Sequence, residues 1–271
     1  MNVQTIRTDV PVLLRERDGA IAVLTLNRSA ARNSLSEALL IALSDTLKDI
    51  AADQTVRAVV VAANGTAFCA GHDLKELTAR RGDTDGGRDY FRQVMTVCSG
   101  MMQQIVTLPQ PVIACVQGVA SAAGCQLVAS CDLAVASSAA KFATPGVDIG
   151  LFCSTPMVAL SRNVSRKAAM EMLLTGEMIG AEHAARIGLI NRAVTPGQER
   201  KEAMALAKLI ASKSSYTLKI GKQAFYKQAE MDLAAAYAYA SEVMTENMMA
   251  RDANEGICAF IEKRDPTWED C

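Results

Sequence analysis

Two short loops rich in small residues are the parts of this 271-residue chain whose composition and spacing suit chemistry. One, AFCAGHDL, occupies 67–74, and the other, GVASAAGCQL, occupies 118–127; each follows an apolar run. Glycine and alanine let backbone N–H groups approach a ligand closely. A helix that begins at such a loop points its first N–H groups outward, with the positive end of its dipole behind them. Two such loops side by side would hold one developing oxyanion, usually the largest catalytic contribution in acyl chemistry. The plainer alternative is that small residues only let a strand and a helix pack tightly, and spacing alone favours it. Other chemistries lack their residues. GxGxxG and GxxxxGK[ST], the phosphate cradles, do not occur, nor do GxSxG and HExxH. A Ser-His-Asp triad would have to use one of only two histidines, His72 and His183, and His183 lies in a helical pattern, AEHAARIGLI.

With two histidines no metal site is expected. The eight cysteines (Cys69, Cys98, Cys115, Cys125, Cys131, Cys153, Cys258, Cys271) include no CxxC pair, and they read as small buried hydrophobes. A formal net charge of −1 leaves no basic footprint for nucleic acid. At 50% hydrophobic the chain is too apolar for disorder. The window Gln93–Cys131 holds no charged residue or histidine, yet Pro109, Pro111 and several glutamines interrupt it, so it predicts a buried soluble core and no membrane span. The opening stretch MNVQTIRTDVPVLL has neither the charge nor the apolar block of a signal peptide. The expectation is a cytoplasmic protein if bacterial, or one of the mitochondrial matrix if eukaryotic with a transit peptide removed.

The elements that must position the two loops are legible. Asp18-Gly19 between apolar runs predicts a hairpin. Ser36 is placed to cap a helix over 37–52, with apolar Leu39, Leu40, Leu43, Leu47 and Ile50 on one face. RAVVVA (57–62), 112–116 and 133–136 read as buried strands. TARRGDTDGGR (78–88) reads as an exposed, mobile loop, 89–107 as a helix, and 120–130 as small residues leading into a short helix. After Pro196-Gly197 the chain is almost continuously helical over 199–213, 215–229, 232–250 and 252–264. The expected organisation is an α/β core over 1–196 followed by a helical subdomain over 197–271.

Several segments taken together resemble the crotonase superfamily, also called the enoyl-CoA hydratase/isomerase family, over essentially the whole chain. They are LTLNRSAARNSLS (24–36), AFCAGHDLKEL (67–77), PVIACVQGVASAAGCQLVASCDLAVAS (111–137), LLTGEMIGAEHAARIGLINRAV (173–194) and EGICAFIEKRDP (255–266). GCQLVASCD followed by FATPGVDIGLFCSTP is similar to one particular branch of that family. The resemblance implies a spiral of ββα repeats with a C-terminal helical part that drives trimers, usually paired into hexamers. It implies an acyl-CoA thioester as the partner, with coenzyme A entering as part of the substrate and no separate cofactor. By motif position the oxyanion donors would be the backbone N–H groups of His72 and Ala123. Ala31, Ala70, Asp73 and Leu74 would lie along the CoA, and Phe260 and Lys263 would reach the CoA of a neighbouring subunit. Ala30 stands where hydratases often carry a CoA-contacting lysine.

The chain departs from the hydratase pattern at both acids. Hydratases of this family position and deprotonate water with two glutamates; here Gln126 follows AAGC and Gly146 follows Pro145. An amide can orient water but cannot take its proton, and glycine can do neither. Asp148 is a candidate replacement acid and Glu76 a weaker one, while Cys153 is a weak candidate nucleophile with no obvious partner base. The expected function is acyl-CoA processing with enolate stabilisation in fatty-acid or related metabolism and weak hydration. Alternatives are a decarboxylase or thioesterase-like member and a non-catalytic acyl-CoA binder.

Overall fold

The computed structural model describes residues 10–271; the first nine residues, on which the signal-peptide reading partly rests, lie outside them. The hairpin pairs β1 (Leu13–Asp18) with β2 (Ile21–Leu26) in antiparallel register, Asp18 opposite Ile21. Its two loop residues are Gly19 and Ala20, one position later than Asp18-Gly19, because Gly19 takes the positive φ of +60° that opens the turn. Ser36 Oγ accepts the Leu39 N–H at 3.2 Å and caps α1 (Glu37–Ala52), whose five expected apolar residues are all buried.

The chain then winds as a spiral. β3 (Ala58–Ala63) leads to β4 (Ala67–Cys69), then to α2 (Leu74–Ala79) and α3 (Arg88–Thr107). β5 (Val112–Val116), β6 (Val119–Ser121) and α4 (Ala123–Ser130) make the next turn, and β7 (Leu133–Ser137) with β8 (Lys141–Ala143) the one after. α5 (Ser154–Leu160), α6 (Arg166–Thr175), β9 (Ile179–Gly180), α7 (Ala181–Arg186) and β10 (Arg192–Val194) follow. Each turn gives one strand to a six-stranded sheet, order β1-β2-β3-β5-β7-β10, and one to a four-stranded sheet, order β4-β6-β8-β9. Apart from the β1–β2 and β8–β9 pairs, neighbouring strands run parallel. These are the ββα repeats that the family resemblance implies.

Both faces of the large sheet are buried, which is why β2, β3 and β5 read as unbroken apolar runs. Alternate residues such as Leu24, Val59, Val61 and Val112 face the main core with α1, α3 and α4. The others, Val23, Ala58, Val60, Ile113 and Val135, face Ala203 and Ala207 of α8 (Glu199–Ala211). The first C-terminal helix therefore covers the sheet. Three more helices follow: α9 (Ser215–Gln228), α10 (Leu233–Met249) and α11 (Arg251–Glu262). The segment 78–88 is exposed but more ordered than a bare loop. α2 runs through it to a 3-10 turn at Arg80–Gly82, and Arg80 and Arg81 sit over the rings of Tyr90 and Phe91. No described helix is long and apolar enough to cross a membrane.

One polar cluster ties α9 to this core. Asp132, just before β7, accepts the Val112 N–H at 2.7 Å, the Lys222 ammonium at 2.7 Å and the Tyr226 hydroxyl at 2.9 Å. Lys222 also donates to the carbonyls of Ile105 and Gln110, so its three protons are all used. Burial pulls the Lys222 pKa down, and the Asp132 charge opposes that pull. Removing one partner of a buried pair strands the other charge. Asp132→Ala should therefore cost about 3 kcal/mol or more in urea unfolding. A loss below about 1 kcal/mol would mean that the ammonium is adequately solvated without it.

Candidate active site

β4 and β6 are neighbours in the small sheet, so the loops that follow them emerge side by side. Gly71 has a φ of +94°, and a Cβ there would fall 3.0 Å from the Ala122 Cβ and 3.5 Å from the Ala123 backbone nitrogen. The backbone leading into His72 thus touches the first turn of α4. That contact depends on a second glycine. A Cβ at Gly124 would come within 2.1 Å of the Cys69 carbonyl oxygen, so any side chain there would force β4 and α4 apart. Ala122 donates its N–H to the Ala143 carbonyl at 2.9 Å and accepts from the Gln126 N–H at 3.0 Å. The N–H groups of Ala123 and the two residues after it have no acceptor within the helix, as at any helix start.

A cavity of about 560 Å³ opens beside this junction. Ala70, His72, Ser121, Ala122 and Ala123 form its head. Leu74 and Leu77 of α2 and Met95 of α3 form one side. Pro145, Gly146, Asp148 and Ile149 of a 3-10 turn (Pro145–Ile149) and Leu151–Pro156 form the other. Asp148 is the only carboxylate among the described residues that line it. Its side chain is exposed and has no hydrogen-bond or ion-pair partner among the described residues. Its carboxylate lies against Gly176, where a Cβ would sit 3.1 and 3.2 Å from the two oxygens.

The two positions of the missing glutamates behave differently. Gln126 is buried on α4 and does not line the cavity, and its Oε1 lacks a partner among the described residues. Gly146 does line it, but a Cβ there would lie 2.9 Å from the Leu151 carbonyl oxygen and 3.0 Å from Cys153 Sγ. The 151–153 backbone occupies the space where a side chain at 146 would begin.

The imidazole of His72 has both ring nitrogens buried and unpartnered among the described residues. Burial pushes its pKa below the ordinary 6.5, so it is neutral at pH 7. Cys153 lines the cavity as a thiol, because burial raises its pKa, and a protonated thiol is a poor nucleophile. Burial likewise pushes Cys69, Cys98, Cys115 and Cys125 up to about 12, as expected of cysteines that act as core residues. Glu76 is spent elsewhere: its Oε2 accepts the Glu37 N–H at 3.0 Å at the start of α1.

The positions expected along the CoA are only partly together. Ala70 and Leu74 line the cavity. Asp73 is not on its wall and is engaged elsewhere, accepting from Arg28 at 3.0 Å and Ser34 Oγ at 3.2 Å and capping α2. Partial burial would raise its carboxyl, and these hydrogen bonds outweigh that and hold it below the usual range. Ala31 ends a 3-10 turn (Ser29–Ala31), half-buried and off the cavity wall. Phe260, 85% exposed, and Lys263, at the left-handed end of α11, are not on the wall of their own chain's cavity. Leu77, Met95 and Leu151 were not singled out from the sequence, since no periodicity says which helix faces meet across a cavity.

The family model described as enoyl-CoA hydratase/isomerase matches residues 16–271. The mitochondrial enoyl-CoA hydratase domain-containing protein 3 of Rattus norvegicus is 48% identical over 254 residues, covering 94% of this chain and 83% of that protein. A solved enoyl-CoA hydratase of Mycobacterium smegmatis superposes with a TM-score of 0.91 at 51% identity, covering 96% of this chain and 99% of that one. Human enoyl Coenzyme A hydratase domain-containing protein 3 superposes with a TM-score of 0.90 at 46% identity, covering 95% of this chain and 100% of that one. The branch suggested by GCQLVASCD and FATPGVDIGLFCSTP is the one these rat and human proteins carry in their names.

Two predictions follow from this geometry. Ala122 has φ 49° and ψ −118°, a region that favours glycine, at a cost of about 1–3 kcal/mol. Ala122→Gly should therefore raise the unfolding free energy by about 1 kcal/mol, read as a higher Tm. An unchanged or lower Tm would mean that the neighbouring packing, and not the dihedral, sets the cost. The second concerns pH. The folded chain disfavours charging His72, so below pH 6.5 the unfolded state binds the extra proton. This contribution is fully present above pH 6.5 and is lost as pH falls toward the lowered folded value. Urea melts of His72→Leu should show a shallower stability loss between pH 7 and 5 than the parent. Parallel slopes would contradict it.

Proposed function

The chain belongs to the enoyl-CoA hydratase/isomerase family, and from that premise we propose that it processes an acyl-CoA thioester. The thioester oxygen would accept from the backbone N–H groups of His72 and Ala123. The observation that carries this reading is the contact of Gly71 with Ala123 at the head of the cavity. It brings the chain entering His72 against a helix start whose free N–H groups and dipole favour negative charge. Asp148 would take a proton from the α carbon as charge moves onto the thioester oxygen, then return it to the acyl chain. That proton shift is isomerase chemistry, and it needs one carboxylate where hydration needs two; in a lyase reaction the same enolate would instead expel a leaving group from the β carbon, which departs with the electron pair of its bond. Ala70, Asp73 and Leu74, with Ala31, would lie along the CoA as the family resemblance implies. Coenzyme A enters as part of the substrate, and the scheme uses no other cofactor.

Gln126 and Gly146 argue against efficient hydration, since each general acid–base group is worth about 10²–10⁴ in rate. The same two residues favour a second reading, a decarboxylase, a thioesterase-like member or an acyl-CoA binder that does not turn over. Assembly as a trimer or hexamer is part of the proposal. α10 has no buried residue in the single chain, and Leu233, Tyr237, Phe260 and Ile261 are more than two-thirds exposed. A neighbouring copy would cover them and bring Phe260 and Lys263 toward its CoA. The expected compartment is the mitochondrial matrix if the source is eukaryotic, the rat relative being named mitochondrial, or the cytoplasm if bacterial.

The test is the hydration rate on crotonyl-CoA beside a two-glutamate hydratase of the family. The expected rate is lower by at least about 10². A rate within about tenfold would show that another group activates water and that the weight given to Gln126 and Gly146 is wrong.

A further inference from the structure

The His72 N–H belongs to the peptide that joins Gly71 to His72. A planar trans peptide carries its C=O and its N–H on opposite edges. Whatever holds the Gly71 carbonyl therefore aims the His72 N–H. The holder is Leu35, whose N–H donates to the Gly71 carbonyl at 2.8 Å. Ala70 donates to the Arg32 carbonyl at 3.1 Å, and Asp73 to the Leu35 carbonyl at 3.3 Å. Residues 32–35 thus lie beside 70–73 as a short parallel zipper, with Leu35 opposite His72. In a parallel pairing of this kind the bonds to Leu35 come from the residues on either side of His72. The His72 N–H faces away from the zipper and has no acceptor among the described residues.

One side chain holds residues 32–35 in place. Asn33 is fully buried. Its Oδ1 accepts the Arg28 N–H at 2.8 Å, and its Nδ2 donates to the carbonyls of Asn64 and Ala67, each at 2.8 Å. These partners lie in three separate stretches: the segment after β2, the turn after β3, and β4 itself. Arg32 and Asn33 both take a left-handed φ, 51° and 53°. Two such residues in a row hold that shape only when their surroundings enforce it. Arg28 is a second support. Its guanidinium donates to the Ser34 carbonyl at 2.6 Å and to Asp73 at 3.0 Å, which ties the two strands of the zipper together. Arg28, Asn33 and Leu35 are all off the cavity wall, so they reach a bound molecule only through His72.

We propose that Asn33 is a positioning residue for the oxyanion donor. It sets Leu35, Leu35 fixes the Gly71–His72 peptide, and that peptide aims its N–H at the thioester oxygen, with Arg28 as the second support. The bond from Leu35 also strengthens the donor, because a peptide that accepts at its oxygen is polarised to donate at its nitrogen. This rests on the acyl-CoA reading above and assigns residues to the support of that site.

Infrared difference spectroscopy of butyryl-CoA, isotopically labelled at the thioester carbonyl and bound to the full-length chain, tests it. Hydrogen bonds to the thioester oxygen lower its stretching frequency, so the parent should show a bound band below that of free butyryl-CoA. Asn33→Gly keeps the left-handed backbone accessible and removes all three side-chain bonds. Its bound band should return most of the way to the free frequency while butyryl-CoA still binds in calorimetry. Arg28→Gln should move the band in the same direction by less, and it decides the matter if Asn33→Gly does not fold. Tyr226→Phe, which loosens the Asp132 cluster away from the cavity, controls for general destabilisation and should leave the band where the parent has it. A band unmoved in the folded clamp variant, or moved equally by Tyr226→Phe, would overturn the proposal and leave the oxyanion reading standing. A parent that binds butyryl-CoA with its band at the free frequency, or that binds no CoA thioester, would overturn both.

Discussion

The approach of α4 to β4 is the constraint on which the rest of the structure depends. Gly124 lies directly over the Cys69 carbonyl, closer than any side chain allows, and Gly71 lies against Ala122 and Ala123 one step nearer the cavity. All eight residues of α4 are buried, so the helix can carry no unpaired charge. Its only opening to a ligand is its first turn. The two sheets of the spiral serve this junction: the small one sets β4 and β6 side by side, and the large one, covered by α8, gives them a rigid base. The strain at Ala122 is tolerated because the Ala143 carbonyl and the first turn of α4 fix that residue on both sides.

Much of this was legible in the sequence. The Ser36 cap and the apolar face of α1 were visible because a helix start and a 3.6-residue period are local signals. The large sheet was visible because parallel strands buried on both faces are continuously apolar. The charge-free window Gln93–Cys131 announced a buried segment, and its meaning sharpened once α4 was found inside it. In a two-glutamate hydratase an acid would interrupt that window at the position of Gln126. The segment 78–88 was harder, since its glycines and charges look like a loop while its order comes from Arg80 and Arg81 stacking on Tyr90 and Phe91.

The candidate site was legible only where motif and local geometry coincide. His72, Ala123 and Asp148 meet at one cavity, yet no local signal reveals that Gly146 is hemmed in by the Leu151 carbonyl and Cys153. Nor could it show that Asp73 and Glu76 are occupied by Arg28, Ser34 and the start of α1. Those facts come from three-dimensional contacts between segments far apart in the chain. They also narrow the chemistry. With Glu76 engaged and Cys153 held as a thiol, Asp148 is the one carboxylate among the described residues that line the cavity.

The central claim is that this cavity stabilises an enolate and that Asp148 moves the α proton. Deuterium incorporation at the α carbon of butyryl-CoA in heavy water, followed by NMR, reads that step without requiring hydration or net turnover. Exchange well above the buffer rate, falling by about 10² or more in Asp148→Asn while butyryl-CoA still binds, is the predicted result. No exchange above buffer from a protein that binds butyryl-CoA would contradict it and leave a binding protein in place of an enzyme.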